Sequence, residues 1–351
     1  MNSEVLSLTQ LGWSNFFQSQ LELDEIGVAT PARIREAHRN LVETLTETGP
    51  LDVSMSPELF EARVAVGDWL IVAPDGHVRV LERKSQINRK AAGHVHYAQA
   101  IAANVDTVFI VTSCNSDFNL ARLERYLVLA HQAQVAPVIV LTKPDLSDTP
   151  ETYRQQAQKG LPGVIVEIVT ATDQAEVTRV LGPWCKTGQT VALLGSSGVG
   201  KTTLTNALTG RQDVTQDIRE ADAKGRHTTT TRSMHRMIAG GWLIDTPGMR
   251  ELQLYDMSEG IVAVFDDLAQ LALRCKFHDC AHESEPGCAI QVAIAAGDLD
   301  TDRLERWRKL QREDVVNSES IAEARARTRK RQKTYNQGKA RSKHKRQHYD
   351  D

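Results

Sequence analysis

The spacing of apolar positions changes along the chain, and each change marks a region. Near the start, Leu11, Trp13, Phe16, Phe17 and Leu21 fall at intervals that a short amphipathic helix places on one face. Residues 1–25 therefore read as a helical extension docked on a neighbouring domain. From 26 to 92 the pattern turns to short β-prone runs broken by turn signals: Gly49-Pro50, Gly67-Asp68 before Trp69 to Val72, and Pro74-Asp75-Gly76 before His77 to Leu81. Short strands this closely spaced predict a small β-barrel of OB-fold type.

Beyond the basic stretch Arg83 to Lys90, residues 93–257 alternate apolar strands with helical segments. The predicted strands are Thr107 to Thr112, Val138 to Leu141, Val164 to Val169, Thr190 to Leu194 and Trp242 to Ile244. Leu120, Leu123, Leu127 and Ala130 give an intervening helix its buried face. Such alternation predicts an α/β domain, a mostly parallel sheet covered by helices. From 258 to 323 the pattern becomes helical and rich in Cys and His, with Leu304, Trp307 and Leu310 on a late amphipathic helix. Residues 324–351 form a basic tail, and no internal repeat occurs.

Composition refines this picture in three places. A length of 351 residues fits two or three domains, and 41% hydrophobic with 25% charged residues is enough to bury real cores. No apolar run approaches the 18 or more residues of a membrane span, and Met1 to Thr9 lacks a basic stretch followed by an apolar one. The expectation is a cytoplasmic protein with no membrane partner. Net charge is −3, yet residues 324–351 carry eleven Lys or Arg against two Asp, which leaves the preceding part at about −12. The tail, with Tyr335 and Tyr349 able to stack on bases, is expected to be disordered when free and to bind the phosphate backbone of RNA.

Gly195-Ser196-Ser197-Gly198-Val199-Gly200-Lys201-Thr202 fits the P-loop pattern, between a strand ending at Leu194 and a helix beginning near Thr203. Its glycines let backbone N–H groups turn around phosphate oxygens, Lys201 reaches the β- and γ-phosphates, and the Thr202 hydroxyl is placed for Mg²⁺.

A P-loop does not choose a base. Thr142-Lys143-Pro144-Asp145 follows an apolar strand and resembles the guanine motif Asn-Lys-x-Asp of translation-factor-like GTPases. A carboxylate at Asp145 accepts both N1–H and N2–H of guanine, donors that adenine does not present together. Lys143 lays its stem along the base. Thr142 stands where Asn is usual and gives up a carboxamide that braces neighbouring loops, which leaves affinity and exact geometry open. Thr170-Ala171-Thr172 is a weak match to a Ser-Ala base-contacting loop.

Asp245-Thr-Pro-Gly248 resembles Asp-x-x-Gly, with Asp245 holding Mg²⁺ through water and the Gly248 N–H meeting the γ-phosphate. Thr228 to Thr231 look like a first switch, with Thr228 and Thr229 the leading magnesium candidates. Met249 occupies the place where many GTPases position water with glutamine, so slow intrinsic turnover is expected. His227 either orients or deprotonates water or is a solvated loop histidine, the two readings weighing equally. The guanine motif precedes the P-loop, the reverse of the standard order. A parallel sheet tolerates such circular permutation because joined termini and a new opening leave the site in place.

Five cysteines are an odd number, and three crowd between 275 and 288. Cys275, Cys280, His282 and Cys288 supply three thiols and one imidazole, the Cys₃His set of a closed structural zinc site, with His278 an alternative ligand. Cys114 and Cys185 read as ordinary buried or semi-buried thiols.

A small barrel, a permuted GTPase and a Cys₃His segment together resemble the ribosome small subunit-dependent GTPase A (RsgA) family over roughly residues 26–315. The most specific features are Thr-Lys-x-Asp at 142–145, Gly-Arg-His-Thr-Thr-Thr at 225–230, Asp-Thr-Pro-Gly-Met-Arg-Glu at 245–251 and Cys-x-His-x-x-Glu-Pro-x-Cys at 280–288. The resemblance implies late maturation of the small ribosomal subunit, GTP hydrolysis stimulated by that subunit, an OB-fold on ribosomal RNA, and a cytoplasmic monomer. Pattern alone reaches a permuted GTP-binding protein with zinc and RNA contact. Two other classes remain open: a nucleotide-regulated RNA-binding or chaperone module with little intrinsic turnover, and a metal-handling GTPase.

Overall fold

The computed structural model of the chain describes residues 5–90, 98–212, 232–245 and 256–318. Five antiparallel strands come first: β1 (Thr30–Ala37), β2 (Leu41–Thr46), β3 (Gly49–Ser54), β4 (Trp69–Val72) and β5 (Val78–Val80). Helix α1 (Asn15–Gln18) precedes them and α2 (Pro57–Glu61) separates β3 from β4. β1 pairs with both β2 and β4, so the ladder runs β3-β2-β1-β4-β5. No ladder joins β3 to β5 among the described residues, so the expected barrel is an open, bulged sheet in its hydrogen bonding. Leu59 of α2 packs into this sheet's core, buried with Ala32, Ile34, Val42, Val53 and Leu70. Side chains fill that opening; backbone pairing does not.

A hairpin of β6 (Gln86–Lys90) and β7 (Ala98–Ala103) leads into the α/β part. There the strands are β8 (Thr107–Ser113), β9 (Ala136–Thr142), β10 (Ile165–Ile168), β11 (Thr190–Leu194), β12 (Ser233–Arg236) and β13 (Trp242–Asp245). Helices α3 (Leu120–Gln132), α4 (Pro150–Gly160), α5 (Gln174–Leu181) and α6 (Lys201–Thr209) connect them. The spatial order is β10-β9-β8-β11-β13-β12, parallel from β10 through β13 and antiparallel at β12. β8 and β11 are buried at every position, as strands covered on both faces must be. β11 comes late in the chain yet sits between β8 and β13, so the sheet assembles around a strand the chain supplies fourth.

Helices α7 (Ser258–Val264), α8 (Asp266–Ala272), α9 (Ala289–Ala296) and α10 (Thr301–Ser318) close the described chain. α7 packs on α3 and α10 reaches it through Arg303 and Arg306, so the buried face of α3 is wider than spacing predicts: Glu124, Tyr126, Val128 and Leu129 are buried besides Leu123, Leu127 and Ala130. Glu124 lies fully buried and accepts from Arg303 Nη1 at 3.2 Å and Arg306 Nε at 2.7 Å. Arg303 also grips Asp267 through Nε at 2.8 Å and Nη2 at 2.9 Å.

The helix expected in the first residues shrinks to the single turn of α1. Its aromatics serve another purpose: Trp13 meets Trp69 edge-on at 4.8 Å and Phe17 meets it at 5.8 Å. Arg33 of β1, 1% exposed, joins three parts of the fold. It donates to the Leu11 carbonyl at 2.5 Å and, from β1, to the Thr190 hydroxyl at the foot of β11 at 2.8 Å. Burial draws its pKa down to about 10, so it stays charged at neutral pH. Among the described residues no helix is long and apolar enough to cross a membrane.

Candidate functional site

The parallel strands all end on one edge of the sheet, where ligands of open α/β sheets bind. Register shows the alignment: Leu194 of β11 lies opposite Ile110, and Thr142 of β9 lies opposite Ser113. The loops 195–200, 143–146 and 170–172 therefore share that edge, with β9 and β11 separated only by β8, about 10 Å apart at the usual strand spacing.

At the end of β11 the backbone turns at Gly195, where a Cβ would meet the Val111 carbonyl oxygen at 2.3 Å, so only glycine fits. Gly200 caps α6 with φ +90°. Val199 is buried as the anchor of the loop, whereas Ser197, Gly198 and Thr202 face solvent and Thr203 is half-buried. Helix α6 aims its N-terminus at the loop, an arrangement that favours anions. Lys201 Nζ folds back onto the loop, donating to the Gly195 carbonyl at 2.8 Å and to the Ser196 carbonyl.

Across the edge, Thr142 is fully buried and its hydroxyl sits 2.6 Å from the Val199 carbonyl oxygen, with the Thr112 carbonyl at 3.2 Å. The threonine hydroxyl ties this loop to the P-loop, at the position where the usual asparagine carboxamide braces neighbouring loops. Lys143 adopts the left-handed conformation, φ 55°, and starts the 3₁₀ turn Pro144–Leu146 that presents Asp145 exposed. Pro144 is half-buried beside it. Thr170 donates its N–H to Glu176 at 3.2 Å, and Ala171 is buried. Asp245 ends β13, next to the P-loop strand.

The second site is a cluster. Ligand atoms of Cys275, Cys280, His282 and Cys288 all lie within 4.8 Å of one another. Cys275 and Cys288 sulfurs are 3.9 Å apart, and His282 Nδ1 lies 3.5 Å from Cys275 Sγ and 3.6 Å from Cys288 Sγ. A tetrahedron of zinc–thiolate bonds has edges of about 3.8 Å, so these residues fit the ion. His282 reaches its place with φ 61°, its ring tilted against Trp307 at 5.8 Å. Burial works against the Cys275 thiolate, but backbone N–H groups of Ala289 and Ile290 and the neighbouring thiols outweigh it and lower its pKa. His278 is exposed, 4.0 Å from Asp279 and outside the cluster. Cys114 and Cys185 are buried thiols whose pKa values burial pushes up to about 11 and about 12.

The RsgA GTPase family model matches residues 80–255. The small ribosomal subunit biogenesis GTPase RsgA 2 of Vibrio parahaemolyticus is 51% identical over 324 residues, 92% of this chain and 90% of that relative. The chain belongs to the RsgA GTPase family. The RsgA of Mesorhizobium japonicum is 49% identical, covering 89% of this chain and 91% of its own. Two solved structures share the fold at 23% identity. YjeQ from Thermotoga maritima superposes with TM-score 0.59 over 81% of this chain and 97% of its own. YloQ, a circularly permuted GTPase, gives 0.58 over 82% and 95%.

Some expected positions of this RsgA GTPase, namely His227, Thr228, Thr229, Gly248 and Met249, lie outside the described residues, as does the basic tail. Sequence reasoning missed Arg122, whose Nη1 donates to the Ser196 hydroxyl at 3.0 Å. Its signal was a cation in the first turn of the helix after β8, a pattern that equally describes a solvated helix start.

Proposed function

We propose that the chain hydrolyses GTP in late maturation of the small ribosomal subunit, holding ribosomal RNA in its GTP form and leaving once the subunit has stimulated hydrolysis. The Thr142–Val199 bond carries this reading, because it ties the loop with the guanine-type pattern to the loop with the phosphate-binding pattern. In that pocket Asp145 reads the guanine edge, Lys143, Pro144, Thr170 and Ala171 line the base, and residues 195–203 with Gly248 cradle the phosphates. Lys201 leaves the loop carbonyls for the β- and γ-phosphates. Thr202, Asp245 and one of Thr228 or Thr229 hold Mg²⁺, which supplies charge neutralisation when bound.

His227 orients the attacking water when the subunit stimulates hydrolysis, since Met249 offers no group for that task. One structural Zn²⁺ sits on Cys275, Cys280, His282 and Cys288 and stiffens the segment that follows the GTPase part. The protein acts as a cytoplasmic monomer whose basic tail and N-terminal strands contact RNA. The test is GTP turnover with and without purified small subunits, together with co-sedimentation under GTP, GDP and a non-hydrolysable analogue. Strong stimulation and GTP-dependent co-sedimentation are expected. Unchanged turnover would favour a nucleotide-regulated RNA-binding module instead.

A further inference from the structure

Two cations converge on one residue of the phosphate loop. Lys201 reaches the Ser196 carbonyl from within the loop, and Arg122 reaches the Ser196 hydroxyl from α3 at 3.0 Å. The P-loop pattern accounts for the lysine and leaves the arginine unassigned. Arg122 is half-buried, and besides Ser196 its guanidinium approaches the Asp117 carbonyl at 3.5 Å. Both partners are neutral, so among the described residues no carboxylate cancels the positive charge, which is available to an anion.

The position along the loop says which anion. Val199 is tied to the base-reading loop through Thr142, and Ser196 lies three residues earlier, beside the ammonium of Lys201. A nucleotide laid with its base toward Asp145 and its phosphates toward Lys201 therefore ends, at its terminal phosphate, next to Ser196. The helix that carries Arg122 is fixed on either side of that residue. Asn119 caps it, accepting from the Arg122 N–H at 3.0 Å, and the buried Glu124 is held by Arg303 and Arg306. A charge mounted this rigidly is preorganised for its ligand.

Resting on the reading of this pocket as a GTP site, we propose that Arg122 is a positioning residue for the γ-phosphate. Through the Ser196 hydroxyl it holds the first turn of the loop and sets positive charge at the terminal phosphate, so the site favours the triphosphate over the diphosphate. The test compares Arg122→Ala, Arg122→Lys and Ser196→Ala, titrated with a non-hydrolysable GTP analogue and with GDP, alongside thermal unfolding. Arg122→Ala is expected to weaken the analogue about tenfold while GDP affinity stays within about twofold. Arg122→Lys should recover part of the loss, Ser196→Ala should reproduce part of it, and the unfolding midpoints should not move. Equal losses for both nucleotides, or none for either, would overturn the assignment. An unaltered chain that binds neither nucleotide would instead remove the underlying GTP reading, a result visible without any variant.

Discussion

The Thr142 hydroxyl and the Val199 carbonyl oxygen lie 2.6 Å apart in the interior, with Thr142 wholly shielded from water. This bond sets the distance between the loop proposed to read a base and the loop proposed to hold phosphates. Thr142→Val keeps the shape and removes the donor, leaving a buried carbonyl short of a partner at a cost of about 1–3 kcal/mol. We expect a lower unfolding free energy in denaturant titration and weaker GTP and GDP binding together. Thr142→Ser, which keeps the hydroxyl, should lose far less.

Exposure of Asp145 at the tip of its 3₁₀ turn leaves its carboxylate free to meet the purine edge. Asn at this position offers a donor that matches the C2 carbonyl of xanthine and repels the guanine amine. Asp145→Asn should therefore lose roughly a hundredfold or more in GTP affinity, as sites built around a particular hydrogen bond do, and gain for XTP. Competition titration with both nucleotides checks the exchange.

The Cys275, Cys280, His282 and Cys288 set is the second place where one group governs local structure. Metal analysis of the purified chain should find about one zinc per chain. Cys280→Ser should reduce that content and lower the first thermal transition, with protease cleavage appearing between 275 and 296. GDP binding should be retained, because the pocket is formed by other elements.

Charge burial between α3 and α10 makes a sharper stability prediction. Arg303→Ala strips the fully buried Glu124 of one partner and Asp267 of its fork, so a loss of about 3–5 kcal/mol is expected. Adding Glu124→Gln to that variant should restore part of the loss. Denaturant midpoints of the single and double variants give the comparison.

A pH dependence follows from the N-terminal segment. Hydrogen bonding from Arg79 holds the Glu25 carboxyl below its ordinary value. A depressed carboxylate contributes stability above its unfolded pKa, and that contribution disappears as pH falls through the lower folded value. Glu25→Gln should cost under about 1 kcal/mol at neutral pH, given the partial exposure of the pair. The gap from the unaltered chain should narrow as pH falls below the ordinary glutamate range and close once pH passes the lowered folded value.

Strands flanked by a motif were readable because an apolar run and a loop signature mark the same point. Thr190–Leu194 matches its expected bounds, and Thr107 and Trp242 start where the runs begin. Strand β12 was not readable: Ser-Met-His-Arg shows no alternation, and only its ladders with β13 and β1 make it a strand. Arg33, Arg122, Glu124 and Arg303 escaped for another reason. A charged residue on a helix or strand reads as solvated until its partner, 74 to 179 residues away in these pairings, is brought beside it. The open strand array where a closed barrel was expected has a similar cause, since turn signals count strands without saying whether the last meets the first.

The placement of β11 between β8 and β13 also shapes what happens during synthesis. The half proposed to read guanine, β8 to β10, leaves the ribosome before β11 and must wait with the flank of β8 unclaimed until residue 194 has emerged. Until then the nascent chain owns a base pocket without a phosphate grip. A truncated translation product ending before the P-loop is therefore expected not to be charged with nucleotide, and only chains long enough to bring in this late middle strand can enter the proposed guanine-nucleotide cycle at all.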